Sequence, residues 1–502
     1  MIEKAVPVFT KSGDRKLFSK IKEKFMINFK RLYSSFFLLL ILFIFSIPSF
    51  SQENQKFRIR INDYPVEGIQ KSLVLLVEFP DVSFSTVENA YDYFYGLLNE
   101  ENFTYENGAN GSARDYFKAC SNNMFDPDFI IVGPIMLPKE SSYYGADINR
   151  ILDTNIHELV IDAATIVDEL IDFSEFDNDS DGEVDNIYIF YAGYSQADTG
   201  ISEAIWPNSN LLLDNRGVSL NLDGKLINHY AMSNEIRALK ADKQMPVGIG
   251  VFVHEFSHVL GLTDHYDSNF ASNRPGVDNW DTMAAANYFN NMHTPPLFSA
   301  FERAELGWLE YSELEDTDNG KKFTLLPLED DNFAYRVIVP QTNGKEYFIL
   351  ENRQQKGWDS FLPGHGLLVW HIDMDDDAWL NNQVNTDPTH NRVDIIEADG
   401  YESENNFGGD PFPGKRKVTE YTFKSWKNEE IFSLSEIEES EEGTISFVFL
   451  MSGAGIDTIS EVNTYDYSAK FFDINGREVS KDFKGLLIEQ KPDGSVKKIL
   501  NR

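Results

Sequence analysis

The segment from Val251 to Asp267, which reads VFVHEFSHVLGLTDHYD, is the strongest constraint on the fold. His254 and His258 are four residues apart, so on a helix their imidazole rings share one face and can converge on one ion. The residues around them are apolar, which predicts a buried helix over about 246–262. A buried face with two histidines and a glutamate is costly without partners, and a metal ion removes that cost. The segment therefore predicts a metal-binding helix in the protein core.

The motif also supplies the groups that a hydrolytic metal site needs. HExxH is a helix signature of zinc peptidases, with His254 and His258 as ligands and Glu255 as the general base that takes a proton from water. Gly261 lets the chain leave the helix sharply, and Asp264 then returns as the third ligand. We therefore predict a catalytic zinc ion held by His254, His258 and Asp264.

The path of the turn after the helix decides the third ligand. His265 and Asp267 flank Asp264, and either replaces it if the turn runs differently. Tyr266 and Tyr288 are candidates for steadying an oxyanion near the metal. The sequence leaves these assignments open.

The pattern HExxHxxGxxD resembles the extended motif of metzincin peptidases, with aspartate where histidine is usual. Metzincins also carry a tight turn with a methionine beneath the metal. The segment Asn279-Trp-Asp-Thr-Met283 lies downstream of the helix at a suitable place for that turn. We therefore predict that Met283 forms an apolar floor under the metal and is not a ligand.

A second ion site is predicted at residues 177–185, which read DNDSDGEVD. Oxygen ligands at positions 1, 3, 5 and 9, a backbone carbonyl at position 7 and glycine at position 6 are how a calcium loop wraps its ion. Tyr188 stands where an EF-hand needs its closing glutamate, so this is not a complete EF-hand. An acidic turn before a strand is the alternative. We predict a structural calcium ion with the ligands Asp177, Asp179, Asp181, Glu183 and Asp185.

The charge balance argues against nucleic acid as a partner. The 502 residues include 81 acidic and 44 basic ones, for a net charge of −37, whereas phosphate binding needs a basic face. The single cysteine, Cys120, excludes an intramolecular disulfide and is expected to be a small buried residue.

The N-terminus has the order of a secretory signal peptide. Lys30 and Arg31 precede the apolar run 36–47, and small residues follow at 48–51. The run is shorter than the membrane span of about 20 residues. We predict a signal peptide over 1–51, with Met26 as an alternative start and an uncleaved anchor as the other reading. No transmembrane segment is expected after signal removal.

The rest of the chain predicts an α+β fold in several parts. Residues 52–71 are a short lead-in or propeptide, and residues 72–312 mix strands and helices. Helices are predicted over 90–99, 113–120 and 149–171. Residues 320–451 contain short alternating segments between turn residues, which predicts an all-β, sandwich-like domain.

Beyond these patterns, the chain resembles the immune inhibitor A-like family of secreted metallopeptidases over about 72–450. Besides HEFSHVLGLTDHYD and WDTM, the segments that carry the resemblance are Val74–Asp81, Ser112–Cys120, Asp185–Gly193, Ile205–Pro207, Gly364–Asp373 and Gly409–Gly414. The resemblance implies a metzincin-like zinc peptidase domain with endopeptidase activity, the ligands named above and Glu255 as base. Asn122-Asn123 and Asn208 depart from the family's usual Tyr-Gly pair and histidine, which puts substrate contacts in doubt rather than the chemistry.

The tail at 465–502 resembles a small β sorting domain of type IX secretion. The resemblance lies in FFDINGREV at 471–479, KGLLI at 484–488 and a basic end. It implies contact with a secretion machinery and passage across an outer membrane. A last hairpin of the β domain is the alternative.

These observations predict a secreted or cell-surface zinc endopeptidase that acts on proteins or peptides. An inactive binding module or adhesin on a peptidase fold is one alternative, and the intact Glu255 argues against it. A zinc hydrolase with another class of substrate is a second alternative. Cleavage specificity, activation and oligomeric state do not follow from the sequence.

Overall fold

A computed structural model describes residues 64–105, 110–148, 151–213, 217–240, 243–269, 276–387, 389–401 and 406–452, and residues 470–472, 485–490 and 496–501 of the tail. The predicted signal peptide at 1–51 and the part of the lead-in up to residue 63 lie outside the described residues.

The first region, which ends with the helix Ala300–Glu305, combines strands with helices. It contains the helix Gly250–Val259, which carries the predicted metal ligands His254 and His258 and is called the metal-site helix below. Its strands are β1 Gly68–Glu78, β2 Phe125–Met136, β3 Glu183–Val184, β4 Ile187–Tyr194, β5 Asn208–Leu211, β6 Leu220–Leu222, β7 Lys225–Ile227, β8 His229–Lys240 and β9 Lys243–Pro246. Its helices are α1 Ala90–Asn99, α2 Ala113–Cys120, α3 Ser141–Gly145, α4 Ile156–Val167, α5 Gln196–Thr199, α6 Gly250–Val259 and α7 Ala300–Glu305, with a further short helical segment at Phe289–Met292. Short 3-10 helices span Phe173–Phe176, Asp278–Trp280 and Ala286–Tyr288.

The second region, from the strand that begins at Ser312 to the strand that ends at Met451, consists mainly of strands. They are β10 Ser312–Glu313, β11 Lys322–Leu325, β12 Tyr335–Ile338, β13 Glu346–Arg353, β14 Gly366–Asp373, β15 Val393–Ile395, β16 Tyr421–Lys424, β17 Glu430–Glu439 and β18 Ile445–Met451, with the helix α8 Asp376–Leu380. Further 3-10 helices span Asp316–Asp318, Gly357–Phe361 and Phe407–Gly409. The tail contributes β19 Lys470–Phe472, β20 Gly485–Gln490 and β21 Val496–Asn501, which pair with one another in an antiparallel sheet.

The first region is built on a mixed sheet in the order β2-β1-β4-β8-β5, with β9 paired to β8. Strands β2, β1, β4 and β8 are parallel to their neighbours, and β5 adds an antiparallel edge. The run from Leu73 to Val77 is fully buried, as expected for a parallel strand covered on both faces.

The two faces of this sheet pack against different helices. Val74 and Leu76 of β1 belong to one apolar core together with α1, α2 and the metal-site helix α6. Leu73, Leu75 and Val77 face the opposite core, which contains α4. The alternation of neighbouring side chains between two covered faces therefore fixes α6 directly against the sheet.

Residues just before the predicted domain start at residue 72 pack into the core of this region. Tyr64 is only 2% exposed and donates or accepts a hydrogen bond of 2.6 Å with Ser72. Its ring packs edge-on against Phe256 of α6 at a centroid distance of 5.6 Å. The end of the predicted lead-in is thus part of the core beside the metal-site helix.

The second region consists mainly of two sheets that share one core. A five-stranded sheet has the order β10-β12-β13-β14-β15, and a four-stranded sheet has the order β11-β18-β17-β16. Phe348 and Val369 of the first sheet pack in the same apolar cluster as Phe432 and Phe447 of the second. This arrangement agrees with the alternating pattern of the sequence.

A buried ion network joins the second region to the segment before α7. Arg353 is fully buried and donates to both oxygens of Asp359 at 2.8 Å and to the backbone oxygen of Leu297 at 2.9 Å. Glu351 accepts a hydrogen bond of 2.7 Å from the backbone nitrogen of Ala300. A shared apolar core, with Phe301 on one side and Trp370 on the other, surrounds this junction.

Helix boundaries are where the structure differs most from the sequence-based expectations. The helix predicted over 149–171 runs only over Ile156–Val167, since Asp153 has φ of 43°, which is incompatible with a helix. The metal-site helix begins at Gly250 rather than at 246, because Pro246 ends strand β9 and the next nitrogen, of Val247, bonds to the oxygen of Glu235. The helices at Ala90–Asn99 and Ala113–Cys120 match their predictions.

Among the helices of the described residues, none combines the length and the apolar character needed to cross a lipid bilayer.

Candidate active site

Helix α6 carries the predicted ligands on its buried length. His254 is 6% exposed and Glu255 is 8% exposed, although both are polar. Phe252 and Phe256 on the same helix are fully buried and stack at a centroid distance of 5.5 Å. The apolar face holds the helix in the core and leaves the histidine face toward a cleft.

The end of α6 fixes the orientation of His258. Gly261 adopts φ of 100°, a left-handed conformation that favours glycine, and the nitrogen of Leu262 then bonds to the oxygen of Ser257 at 2.9 Å. This turn brings the carbonyl oxygen of Leu262 within 2.9 Å of Nδ1 of His258.

His254 is held by the turn that contains the predicted methionine. Its Nδ1 lies 2.9 Å from the carbonyl oxygen of Thr282. A carbonyl oxygen only accepts, so Nδ1 of both histidines carries the proton and Nε2 is free to bind a metal. Met283 itself is fully buried in the core cluster that contains α6, and its oxygen accepts from the nitrogen of His265 at 2.9 Å.

The structure brings His254, His258 and Asp264 together. Oδ1 of Asp264 lies 3.2 Å from Nε2 of each histidine. Atoms bound at about 2.0–2.2 Å to a tetrahedral zinc ion are about 3.3 Å apart, so this spacing fits one ion. Oδ1 of Asp264 is buried and faces these two imidazole nitrogens, as a candidate ligand atom would.

The alternatives for the third ligand point elsewhere. His265 turns away from the other histidines and binds Asp281, with Nδ1 2.6 Å from Oδ2. These two residues and Glu302 form a separate buried group beneath the turn. Asp267 is not among the residues grouped with His254 and His258.

The electrostatics of the site favour positive charge between these residues. Burial opposes a charge on His258, but the Asp264 carboxylate outweighs it and raises the pKa of His258 to about 9. Burial would raise the pKa of Asp264, but the two imidazoles outweigh it and hold that pKa well below its usual range. A divalent cation would supply the charge that protons supply here.

Glu255 faces the same space as the three candidate ligands. A cleft of about 670 Å³ is lined by Glu255, His254, His258 and Asp264 together with strand β5. Burial raises the pKa of Glu255 above its usual range. A carboxylate with a raised pKa beside the ligands has the properties of a general base.

Two aromatic candidates are placed differently. Tyr266 lines the cleft and its ring stacks on His254 at a centroid distance of 6.3 Å. Tyr288 is 40% exposed and lies under the guanidinium group of Arg237 at 5.3 Å. Of the two, only Tyr266 lines the cleft.

Sequence reasoning missed two residues of this site. His229 of β8 lines the cleft, and burial together with the charge of His258 lowers its pKa to about 4. Asn382 forms two hydrogen bonds with Asp264. A lone histidine in a strand and a lone asparagine in a turn carry no motif, so no local signal could have found them.

The acidic loop at 177–185 borders the same cleft. Carboxylate oxygens of Asp177, Asp179 and Asp185 lie within 4.8 Å of one another. Burial raises the pKa of Asp185 to about 6. The carboxylate of Asp181 instead accepts a hydrogen bond from the nitrogen of Glu183, and Asp177 forms an ion pair with Lys225. Three of the five predicted calcium ligands thus converge, with a lysine beside them.

The chain is similar to known peptidases. A family model described as the immune inhibitor A peptidase M6 catalytic domain matches residues 63–309. The pre-pro-metalloprotease PrtV of Vibrio cholerae serotype O1 is 24% identical over an alignment of 372 residues that covers 66% of this chain and 39% of that protein. Immune inhibitor A of Bacillus thuringiensis subsp. alesti is 25% identical over an alignment of 265 residues that covers 46% of this chain and 38% of that protein.

The family match and the similar proteins define residues 63–309 as a metallopeptidase domain, a hydrolase by class. Residues 63–309 are therefore a domain of the immune inhibitor A peptidase family, family M6. The matches cover about two fifths of the length of each of these curated relatives.

Proposed function

We propose that this chain is an exported zinc-dependent endopeptidase that hydrolyses peptide bonds of protein substrates. The observation that carries the proposal is that Oδ1 of Asp264 lies 3.2 Å from Nε2 of His254 and 3.2 Å from Nε2 of His258. Glu255 lines the same cleft. The names of the relatives, a metalloprotease and an immune inhibitor, support it.

The proposed ligands are His254, His258 and Asp264. A zinc ion bound there would supply Lewis acidity, which polarises the scissile carbonyl group and makes water a better nucleophile. Glu255 takes one proton from the attacking water and returns it to the leaving amine nitrogen, so that the peptide bond breaks and one water is consumed. The carbonyl oxygens of Thr282 and Leu262 hold the imidazoles in the tautomer that binds metal.

We propose three domains: a metzincin-like catalytic domain over 72–312, a β-sandwich-like domain over 320–451 and a tail domain over 465–502. Burial of Tyr64 and the family match from residue 63 support an earlier start of the catalytic domain. Met283, fully buried under α6, is proposed as the methionine of the metzincin turn.

The acidic loop is proposed to hold a structural calcium ion. Asp177, Asp179 and Asp185 support it because their oxygens converge, and carboxylates packed so closely repel one another without a cation. Asp181 and the backbone of Glu183 would have to turn inward to complete the set. A calcium-dependent rise in the melting temperature of the full chain tests this, and no rise would count against it.

The tail is proposed to be a sorting domain that takes the protein across an outer membrane to the medium or the cell surface. The pairing of β19, β20 and β21 only with one another, among the described residues, supports a separate small β unit. Deletion of residues 465–502 in the producing cell tests it: we expect the protein to accumulate inside the cell, and undiminished export would contradict the proposal.

The central experiment compares the full chain with Glu255→Gln and with Glu169→Gln, which makes the same change on the exposed surface. Zinc content and casein hydrolysis are measured for all three. We expect about one zinc ion per chain in each, and a loss of hydrolysis of about 100- to 10,000-fold only in Glu255→Gln, because that variant keeps the ligands and lacks the base.

Zinc without hydrolysis in the parent would favour the alternative, a binding module on a peptidase fold. A parent that binds no zinc would contradict the proposed site. Full activity of Glu255→Gln would contradict the role of Glu255 alone.

A further inference from the structure

We propose that Asn382, from the second region of the chain, is a positioning residue for the metal ligand Asp264. The inference rests on the proposed zinc site and extends it beyond the family-matched residues 63–309. Asn382 follows helix α8, which begins after strand β14 of the five-stranded sheet. The metal centre would therefore be completed by a side chain outside the catalytic segment.

Asn382 grips Asp264 at two points. Its Oδ1 accepts a hydrogen bond of 2.7 Å from the backbone nitrogen of Asp264. Its Nδ2 donates a hydrogen bond of 2.6 Å to Oδ2 of the same residue. The two bonds together fix the side chain of Asp264 relative to its own backbone.

The contact also decides which carboxylate oxygen is free. With Oδ2 engaged by Asn382, Oδ1 is the atom that lies 3.2 Å from Nε2 of His254 and of His258. Only a side chain that both donates and accepts at its tip can make this pair of bonds, and an amide does so without adding charge. An aspartate here would place a second carboxylate against Oδ2 of Asp264.

Asn382 is itself held firmly. The backbone nitrogen of Asn382 donates to the backbone oxygen of Trp379 at 3.0 Å, and Trp379 is 2% exposed in the core that joins the two regions. The backbone oxygen of Asn382 accepts a hydrogen bond from the hydroxyl group of Ser268 at 3.3 Å. The neighbouring Asn385 donates to the backbone oxygen of His265 at 2.8 Å, so the turn after α8 is also tied to the segment that follows Asp264.

The backbone of Asn382 guides the choice of variants. Its φ is 51°, a left-handed conformation that asparagine, aspartate and glycine tolerate better than other residues. Asn382→Gly removes both hydrogen bonds without backbone strain. Asn382→Asp keeps the size and the acceptor but replaces the donor by a charged oxygen.

The test measures zinc affinity of the full chain by competition with a chelator. Asn382→Gly and Asn382→Asp are compared with the parent and with Asn381→Asp, which makes the same charge change one residue away, where the side chain bonds to the oxygen of Asp377. We expect both Asn382 variants to bind zinc about 10- to 100-fold more weakly, as is usual when a partner of a metal ligand is lost. Asn381→Asp should keep the parental affinity.

A second readout separates positioning from a general loss of structure. The visible spectrum of the cobalt-loaded protein reports ligand geometry, and we expect it to change in the Asn382 variants and not in Asn381→Asp. For casein hydrolysis at saturating zinc, we expect the Asn382 variants to show a larger decrease in kcat than increase in KM.

Parental zinc affinity in Asn382→Gly would overturn the proposal, as would an equal loss in Asn381→Asp. If neither Asn382 variant folds by circular dichroism, the residue serves folding and the proposal is also overturned. A parent that binds zinc but leaves casein intact would contradict the proposed endopeptidase while the affinity comparison still decides the role of Asn382.

Discussion

The ammonium group of Lys225 forms an ion pair with Asp177 in the acidic loop, where a calcium ion would compete with it. We expect Lys225→Met to bind calcium at least tenfold more tightly than the parent. The reason is that a unit charge about 4 Å away is worth about 4 kcal/mol at an effective dielectric constant of about 20. Isothermal titration calorimetry of the full chain measures the affinity.

Lys139→Met is the matched control, since Lys139 pairs with Glu158 on the helix α4 and not with the loop. It should leave calcium affinity unchanged. If neither the parent nor Lys225→Met binds calcium, Lys225 is itself the counter-ion of the loop and the calcium proposal is wrong.

Single residues differ in how far the sequence predicts them. The spacing of His254 and His258 predicts convergence because the period of a helix is known. The partner of Asp264 was not predictable, since Asn382 lies 118 positions away and nothing local marks it. The same holds for the carbonyl of Thr282, which orients His254 through a backbone group that any residue would offer.

At the scale of elements, Gly250 at the start of α6 makes the closest approach to other backbone atoms among the described glycines. A Cβ atom there would lie 1.9 Å from the oxygen of Asn287 and 3.1 Å from Cα of Met292, both backbone atoms. We expect Gly250→Ala to lower the free energy of unfolding by about 1–3 kcal/mol through overpacking and to weaken zinc binding, because α6 must shift relative to the turn at Thr282.

Urea unfolding and chelator competition measure the two effects. Gly224→Ala is the control: it lies in open space with φ of 77°, so it costs about 1–2 kcal/mol through backbone strain and should not change zinc affinity. Equal zinc affinity in Gly250→Ala and Gly224→Ala would show that the fit of α6 does not govern the site.

Elements with strong amphipathic patterns were predictable from the sequence. Helices Ala90–Asn99 and Ala113–Cys120 match, and the capping box of Ser112 with Asp115 gives the second a clear start. The metal-site helix was predicted too long because the apolar residues before Gly250 continue from strand β9 into a turn. Hydrophobicity marks them as buried, and it does not distinguish a helix from a buried turn.

At the scale of the whole molecule, the two regions depend on each other. A chain that ends at residue 312 would expose the apolar core around Phe301 and leave the backbone nitrogen of Ala300 without Glu351. We expect this truncated chain to show no cooperative thermal unfolding and no zinc binding. The reason is that exposing the apolar core and leaving buried polar groups unpaired both lower the free energy of unfolding. Calorimetry with zinc analysis measures both.

A chain that ends at residue 452 is the control, because strands β19 to β21 pair only with one another among the described residues. It should unfold like the full chain. A stable, zinc-binding chain that ends at residue 312 would refute the dependence.

The sequence predicted the mixed α+β character and the strand-rich second half from changes in local pattern. It did not predict that the two halves share a core, since Phe301 and Trp370 are ordinary apolar residues of separate segments. The buried contact of Arg353 with Asp359 and Leu297 was likewise hidden, because charged residues are normally placed on the surface.

The 118 positions between Asp264 and Asn382 also set an order of events during synthesis. The ribosome synthesises His254, His258 and Asp264 well before Asn382, which forms hydrogen bonds with Asp264. A nascent chain that has not yet reached residue 382 lacks both hydrogen bonds to Asp264. The nascent chain in the producing cell therefore lacks the hydrogen bonds that position Asp264 until most of its 502 residues have been translated.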